Sequence, residues 1–334
     1  MPSETTIIPI AGGKGGVGKS FLTANLAVAL AQRGQQTLAV DLDLGNSNLH
    51  SLLGLENRYP GIGEYVRGAI KCGPEELIVE TAVPNLGFIP GDGRMPFMAN
   101  ITYPQKLKLI RFLKSLSSRY ILLDLSAGTG FNTLDIFQLG RYGMLVTTPE
   151  YPALMSTLVF VKNLVLRAID ESLRADRSLK EKLRDMHKQS VKDPVFTVRK
   201  FRNELETTHP EAAERIDATC ARIRPRFVYN MVESLADTEV FANIDATCAE
   251  VLSVECDHIG VIPYDAEIRK FLKEPGMFML ECRPSTAANT IDRISRRVIN
   301  LWDRPLDNSA ELLAEYAHEV LANNSASVTG RERG

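Results

Sequence analysis

The nine residues Gly12-Gly13-Lys14-Gly15-Gly16-Val17-Gly18-Lys19-Ser20 leave this chain few folds to choose from. They stand between an apolar run, Ile7 to Ala11, and an apolar-periodic run, Phe21 to Ala31, a pattern that reads as strand, glycine loop and helix. Gly13 to Ser20 fits G-x-x-x-x-G-K-[ST], in which backbone N–H groups and a helix N-terminus face phosphate oxygens. Lys19 is then placed to reach the β- and γ-phosphates and the Ser20 hydroxyl to hold Mg²⁺. The same stretch also spells G-x-G-x-x-G (Gly13, Gly15, Gly18), with Asp41 following about twenty residues later, as a dinucleotide loop requires. A dinucleotide loop has no use for Lys-Ser directly after its last glycine. A nucleoside triphosphate with Mg²⁺ needs both, so the expected ligands are ATP or ADP with Mg²⁺.

A net charge of −2 over 334 residues gives no global attraction to nucleic acid or to an anionic membrane, so such contacts would need local patches. The first apolar run is short and has no basic leader, no stretch reads as long enough to span a bilayer, and the expected location is cytoplasmic. The cysteines, Cys72, Cys220, Cys248, Cys256 and Cys282, include no C-x-x-C pair. They read as free thiols in a reducing compartment, and only a metal cluster assembled over long range is left open.

Apolar β-rich runs alternate with helical patterns, which predicts an α/β fold: a mostly parallel sheet with helices on both faces. Strands are expected at Gln36–Asp41, Leu86–Pro90, Tyr120–Asp124, Gly143–Thr148, Arg226–Asn230 and His258–Pro263, and helices at Pro104–Ser118, Pro152–Ile169, Ala236–Leu252, Thr286–Leu301 and Ser309–Leu321. We expect a single P-loop domain over 1–323 and a flexible tail over 324–334. The rhythm breaks at about 167–225, where Lys180, Lys182, Arg184, Lys188, Lys192, Arg199, Lys200 and Arg202 are mixed with acids. This reads as an insertion of two or three helices standing off the sheet. Its charges suit a solvated face, a docking surface for a partner protein, or contacts to DNA phosphates.

Parallel sheets bind ligands at the carboxyl ends of their strands. Three such ends carry chemistry: the glycine loop, Asp41-Leu42-Asp43, and Asp124 after an apolar run. A strand-end aspartate suits a Walker-B carboxylate holding Mg²⁺ or its waters, and equally a helix cap.

Together these motifs resemble the MinD/ParA family. Lys14-Gly15-Gly16-Val17-Gly18-Lys19-Ser20 looks like its deviant Walker A, which carries an additional lysine near the start of the loop. Val40 to Leu49 resembles its switch I, and Asp124-Leu125-Ser126-Ala127-Gly128 its switch II. Thr147-Thr148-Pro149-Glu150 resembles its post-strand turn, and Tyr229-Asn230 and Val261 to Asp265 its adenine-binding stretches. The likeness runs from about Ile7 to Arg297, apart from the insertion, and is nearest to the MinD branch that includes FlhG/FleN-like flagellar-placement ATPases. It implies a Mg²⁺-dependent ATPase that works as a nucleotide-gated homodimer for spatial positioning, recruiting a partner protein in the ATP state.

On that resemblance Lys14 reaches across to the other subunit's phosphates, and Asp43 positions the attacking water. Ser20, Asp41 and Asp124 serve the metal, and Gly13, Gly15, Gly16, Val17, Gly18, Lys19, Ser20 and Phe21 line the phosphates. Asn230, Pro263 and Asp265 frame the adenine, with turn or cap chemistry the plainer reading of each; Asn48 contacts nucleotide or partner. Phe21 stands where the family usually has a threonine, which leaves that contact to the backbone. The helix from Tyr151 to Ser156 lacks the charged pair that MinD presents to MinC. At the C-terminus Leu312, Leu313, Tyr316, Val320 and Leu321 form an apolar stripe beside Glu311, Glu315 and Glu319, the wrong sign for an anionic bilayer, so packing onto the protein itself is expected. Two other functions stay open. A metabolic or metal-cluster carrier enzyme on this fold would need cysteines or a substrate-side catalytic set. A ParA-like DNA segregation ATPase would use basic patches such as Arg293, Arg296 and Arg297.

Overall fold

Every residue of the strands at Thr37–Leu42 and Tyr120–Leu125 is buried. Strands with no solvated face must be covered on both sides, the condition that a parallel sheet with crossover helices meets. The computed structural model describes residues 5–91, 101–189, 197–282 and 285–331. The strands are β1 (Thr6–Ala11), β2 (Thr37–Leu42), β3 (Val79–Glu80), β4 (Leu86–Ile89), β5 (Tyr120–Leu125), β6 (Met144–Thr147), β7 (Arg226–Val232) and β8 (Asp257–Pro263). They form one sheet in the order β3-β4-β2-β5-β1-β6-β7-β8, parallel throughout except for the β3–β4 edge pair.

The helices are α1 (Lys19–Gln32), α2 (Leu49–Leu52), α3 (Ile62–Arg67), α4 (Tyr103–Ser115), α5 (Phe131–Phe137), α6 (Tyr151–Ser172), α7 (Arg177–Gln189), α8 (Val198–Glu206), α9 (Pro210–Cys220), α10 (Glu239–Leu252), α11 (Ala266–Phe271), α12 (Phe278–Glu281), α13 (Thr286–Leu301) and α14 (Ser309–Arg331). One face of the sheet buries Leu22, Leu26 and Leu30 of α1 with Phe278 of α12 and Ile291 and Ile294 of α13. The other buries Phe112 of α4, Phe160 of α6, Phe241 of α10 and Leu313 of α14. Because α1 is apolar nearly all round, it lies inside its layer rather than on top of it. Arg33 ties the end of α1 to α13, with Nη2 donating to both Asp292 oxygens at 2.7 Å and Nε to the Ser295 hydroxyl at 3.0 Å.

Three expectations change. The charged stretch does form helices, α7 to α9, but these do not stand off the sheet. Leu179, Leu183, Val198, Phe201, Leu205, Ala212 and Ile216 are buried in the same core as α6 and α10. Their amphipathic period turns the apolar stripe inward, and the charges pair on the outside: Lys180 with Asp170 at 2.9 Å, Lys182 with Glu204 at 3.4 Å, Arg202 with Glu206 at 2.8 Å. Lys192 lies outside the described residues. Second, α6 is long and apolar enough to cross a membrane by length and composition, contrary to the sequence reading; here Phe160, Val161, Leu164, Val165 and Ile169 of that helix are core residues. Third, the tail expected from Asn324 continues as helix to Arg331, no proline intervening, while 332–334 lie outside the described residues.

The apolar stripe of α14 is spent on the protein itself, as expected. Leu313, Ala317, Val320 and Leu321 are buried, and Leu312 alone of the predicted stripe is exposed. The DNA candidates are likewise engaged: Arg296 pairs with Asp292 at 3.0 Å, Arg293 lies 3.7 Å from the centre of the Tyr316 ring, and Arg297 donates to the Ile259 carbonyl at 2.9 Å.

At the amino ends of β7 and β8, Arg226 faces Asp257 in register. Its guanidinium lies between the rings of Tyr142 and Trp302 at 4.2 and 4.5 Å, and it is 1% exposed against 0% for Asp257. Removing one member of a buried ion pair strands the other. Asp257 also pairs with Arg224 at 2.8 Å, so the member that can be stranded is Arg226, whose acidic partner is Asp257 at 3.2 Å. Asp257→Ala is therefore expected to lower unfolding free energy in urea by about 3 kcal/mol or more. Nucleotide affinity should stay unchanged, because the phosphate loop is at the opposite ends of the strands; a change in stability under 1 kcal/mol, about the value of an exposed pair, would refute the argument.

Candidate nucleotide site

β1 lies between β5 and β6, where the chain's progress across the sheet reverses, and the glycine loop leaves its carboxyl end. Three neighbours hold the loop. The Asn230 side chain at the end of β7 donates to the Val17 carbonyl at 2.9 Å, and the Gly128 amide after β5 donates to the Gly12 carbonyl at 3.2 Å. The first turns of α6 lie against Gly13, where a Cβ would come within 2.1 Å of the Ser156 carbonyl carbon. Gly18 sits at φ +93°, a conformation L side chains rarely adopt, and a Cβ there would meet the Asn230 amide nitrogen at 2.2 Å. The crest is open by contrast: Lys14, Gly15 and Gly16 are exposed.

Lys19 opens α1 and is buried, 7% exposed. Beneath it Asp41 and Asp124 face each other in register at the ends of β2 and β5, and both are buried. Burial is the main force lifting the Asp41 carboxyl to about 6, against hydrogen bonds from the Ser47 hydroxyl (2.6 Å) and the Leu49 and Asp43 amides (each 3.1 Å). Burial, with the nearby Asp41 charge, lifts Asp124 to about 7, while the Ser20 hydroxyl and Lys19 act in the other direction. Thr23 also donates to Asp124, at 3.3 Å. Asp43 is half-buried; burial raises it, and Lys19 and the Ser126 hydroxyl lower it. Two buried carboxylates that resist ionisation together, next to a serine hydroxyl, form a hard-oxygen donor set that a divalent cation such as Mg²⁺ neutralises.

The structure thus gathers Lys19, Ser20, Asp41, Asp43 and Asp124 at one end of the sheet. Several of the other expected site residues also make contacts within the protein. The Phe21 ring turns into the core against Phe278, ring centres 5.3 Å apart, so only its backbone stays at the loop. Asn230 braces the loop from below. Asp265 caps α11, accepting from the Glu267 amide at 2.9 Å, and Pro263 is buried at the end of β8. Asn48 is exposed and donates to the Asn46 carbonyl at 3.1 Å. The sequence reading missed Thr23, although its position four residues after Lys19 sets both on one side of α1.

Residues 8–275 match the family described as the CobQ/CobB/MinD/ParA nucleotide binding domain. Among curated relatives, a putative septum site-determining protein MinD of Guillardia theta is 39% identical over 151 residues, 44% of this chain and 54% of that protein. One from Tupiella akineta is 32% identical over 154 residues, 46% of this chain and 49% of that protein. The chain spans about half the length of the curated relatives it matches. Among solved structures, the Pyrococcus horikoshii MinD complexed with Mg-ADP superposes with a TM-score of 0.58 at 23% identity, covering 90% of this chain and 98% of that one, a likeness of fold. With a family match over most of its length and a phosphate loop, two lysines and facing carboxylates at the end of one parallel sheet, the chain belongs to the CobQ/CobB/MinD/ParA nucleotide-binding family.

Proposed function

We propose that this protein is a Mg²⁺-dependent cytoplasmic ATPase whose ATP-bound state is a homodimer that recruits a partner protein, a switch for positioning or partitioning. The observation that carries it is the opposite exposure of two lysines on one loop: Lys19 is buried over the carboxylates, while Lys14 stands exposed on the crest. A cation directed out of its own site is suited to phosphates held by a second copy. Charge delivered that way neutralises a γ-phosphate only while the triphosphate is present, so hydrolysis loosens the pair.

Ser20, Asp41 and Asp124 would hold the metal, which supplies neutralisation of phosphate charge. Lys19 binds the phosphates, and Asp43, half-buried beside Lys19, orients water. A partner protein is favoured over DNA because Arg293, Arg296 and Arg297 are each engaged within the protein, and a membrane is disfavoured by the inward stripe of α14.

The test is molar mass by light scattering of Asp43→Ala, which should bind ATP and hydrolyse it slowly, with Mg·ATP and with ADP, alongside Lys14→Ala. Mass should double with ATP alone, and Lys14→Ala should abolish the doubling. Mass independent of nucleotide would sink the switch and leave a constitutive oligomer or carrier enzyme.

A further inference from the structure

We propose that Asp245, Cys256 and His258 form a binding site for a divalent transition-metal ion of the zinc class, at the end of the sheet opposite the phosphate loop. Their donor atoms all lie within 4.8 Å of one another. His258 Nε2 is 2.8 Å from Asp245 Oδ1, Cys256 Sγ is 2.9 Å from that oxygen, and Sγ and Nε2 are 3.8 Å apart. Zinc bonds of about 2.0–2.3 Å in a tetrahedron put ligand atoms roughly 3.3–3.8 Å apart. The sulfur–nitrogen distance fits as it stands. The other two need about half an ångström of opening, and Asp245, half-exposed on α10, is free at its outer side to give it.

The surroundings prepare the imidazole for this. The Tyr229 hydroxyl holds Nδ1 at 2.8 Å, the Tyr229 ring stacks on the imidazole at 4° and Phe227 at 22°, and the His258 amide donates to Ser309 Oγ at 3.0 Å. A ring nitrogen fixed by an oxygen partner, with the other aimed at a cluster of donors, is the usual setting of a metal-binding histidine. Cys248, one turn along α10 from Asp245, hydrogen-bonds the Cys256 thiol from behind. A mixed sulfur, nitrogen and oxygen set selects zinc-like ions over Mg²⁺.

Charge balance agrees. One thiolate, one carboxylate and one neutral imidazole sum to −2, which a divalent ion cancels in a site where His258 and Cys256 are buried. On binding, the Cys256 thiol gives its proton to solvent. The ring proton resides on Nδ1, facing the Tyr229 oxygen, and Nε2 turns its lone pair to the ion; no oxidation state changes. The ion has a way in. A cleft of about 480 Å³ reaches Asp245 and Cys256 from outside, and Glu255, Asp307 and Glu311 line it. Arg224 lines it too, with its charge engaged by Asp257 and Glu255. The fourth ligand position faces this cleft and suits water.

The experiment uses the full chain, stripped by a chelator and held with Mg·ADP so that the phosphate loop is filled, and titrates Co²⁺. One equivalent should produce a near-ultraviolet thiolate-to-cobalt band, which all-oxygen sites lack, and Zn²⁺ should bleach it. Cys256→Ser should abolish the band, Cys72→Ser should leave it intact, and Tyr229→Phe, which keeps the stack and removes the hydroxyl, should weaken Co²⁺ about 10–100-fold. Absence of the band in the wild-type chain, or its survival in Cys256→Ser, would show a hydrogen-bonded core network instead of a metal site. Should Cys256→Ser fail to fold, Asp245→Asn decides: a folded, ADP-binding variant with unchanged Co²⁺ affinity overturns the proposal.

Discussion

Adding one methyl group at residue 13 is expected to cut ATP turnover about 100-fold, the usual cost of misplacing a reacting group by about 1 Å. The Gly13→Ala Cβ would lie 2.1 Å from the Ser156 carbonyl carbon, 2.3 Å from its oxygen and 2.3 Å from the Thr157 nitrogen. All three are backbone atoms of a helix whose core face is fixed by Phe160 and Leu164, so no rotamer change relieves the clash. Either α6 retreats or the loop rises, and the loop is the less anchored of the two. Overpacking of this kind also costs about 1–3 kcal/mol of stability. Gly73→Ala, away from the phosphate loop, is the control, since a Cβ there meets only the end of the exposed Glu76 side chain, at 3.3 Å. Phosphate release assays on the two variants, with urea melts beside them, check this. Equal activities would mean that α6 does not support the loop.

The second large effect is one of pH. In the protein without nucleotide or divalent cation, Asp124 is raised from 3.8 to about 7 by burial. Below the ordinary carboxylate range both folded and unfolded chains keep the proton, and Asp124 contributes nothing to the pH dependence. Between about 4 and about 7 the folded chain keeps it and the unfolded chain has lost it, so stability falls as pH rises, and the loss is complete above the folded value. At about 1.4 kcal/mol per unit over roughly three units, the loss is about 4 kcal/mol. Asp124→Asn removes this slope, so the variant should be the more stable protein at pH 8 and gain little at pH 4. Denaturant midpoints of both proteins at the two pH values test it. Mg·ATP should restore the wild-type chain at pH 8 and have little effect on the variant. Parallel pH profiles for the two would refute the assignment.

How much of this was legible in the sequence depends on how locally each feature is encoded. The phosphate loop was legible because its glycines and Lys19-Ser20 are contiguous, and β2 and β5 because a strand buried on both faces is an unbroken apolar run. Where α7 to α9 would pack was not. Lys180, Lys182 and Arg202 dominate the composition, whereas Phe201 and Leu205, one turn apart on α8, and Ala212 and Ile216, one turn apart on α9, determine the docking. Phe21 was read by its place in a motif, yet its ring was claimed by Phe278, a residue 257 positions away. Asn230 and Asp265 show the same limit: a polar side chain at a strand end serves a ligand, a brace or a cap according to neighbours brought in by the fold.

The Asp41 carboxylate offers about four acceptor positions, and three of them are taken by its own chain: Ser47, Leu49 and Asp43. It is a fastener of the turn after β2 before it is anything else, unlike Asp124, whose partners Ser20 and Thr23 belong to α1. Alanine at 41 and alanine at 124 are therefore different experiments. The first undoes the turn that carries Asp43 and takes a carboxylate from the proposed metal site at once, so lost activity there mixes the two; only the second isolates a missing charge.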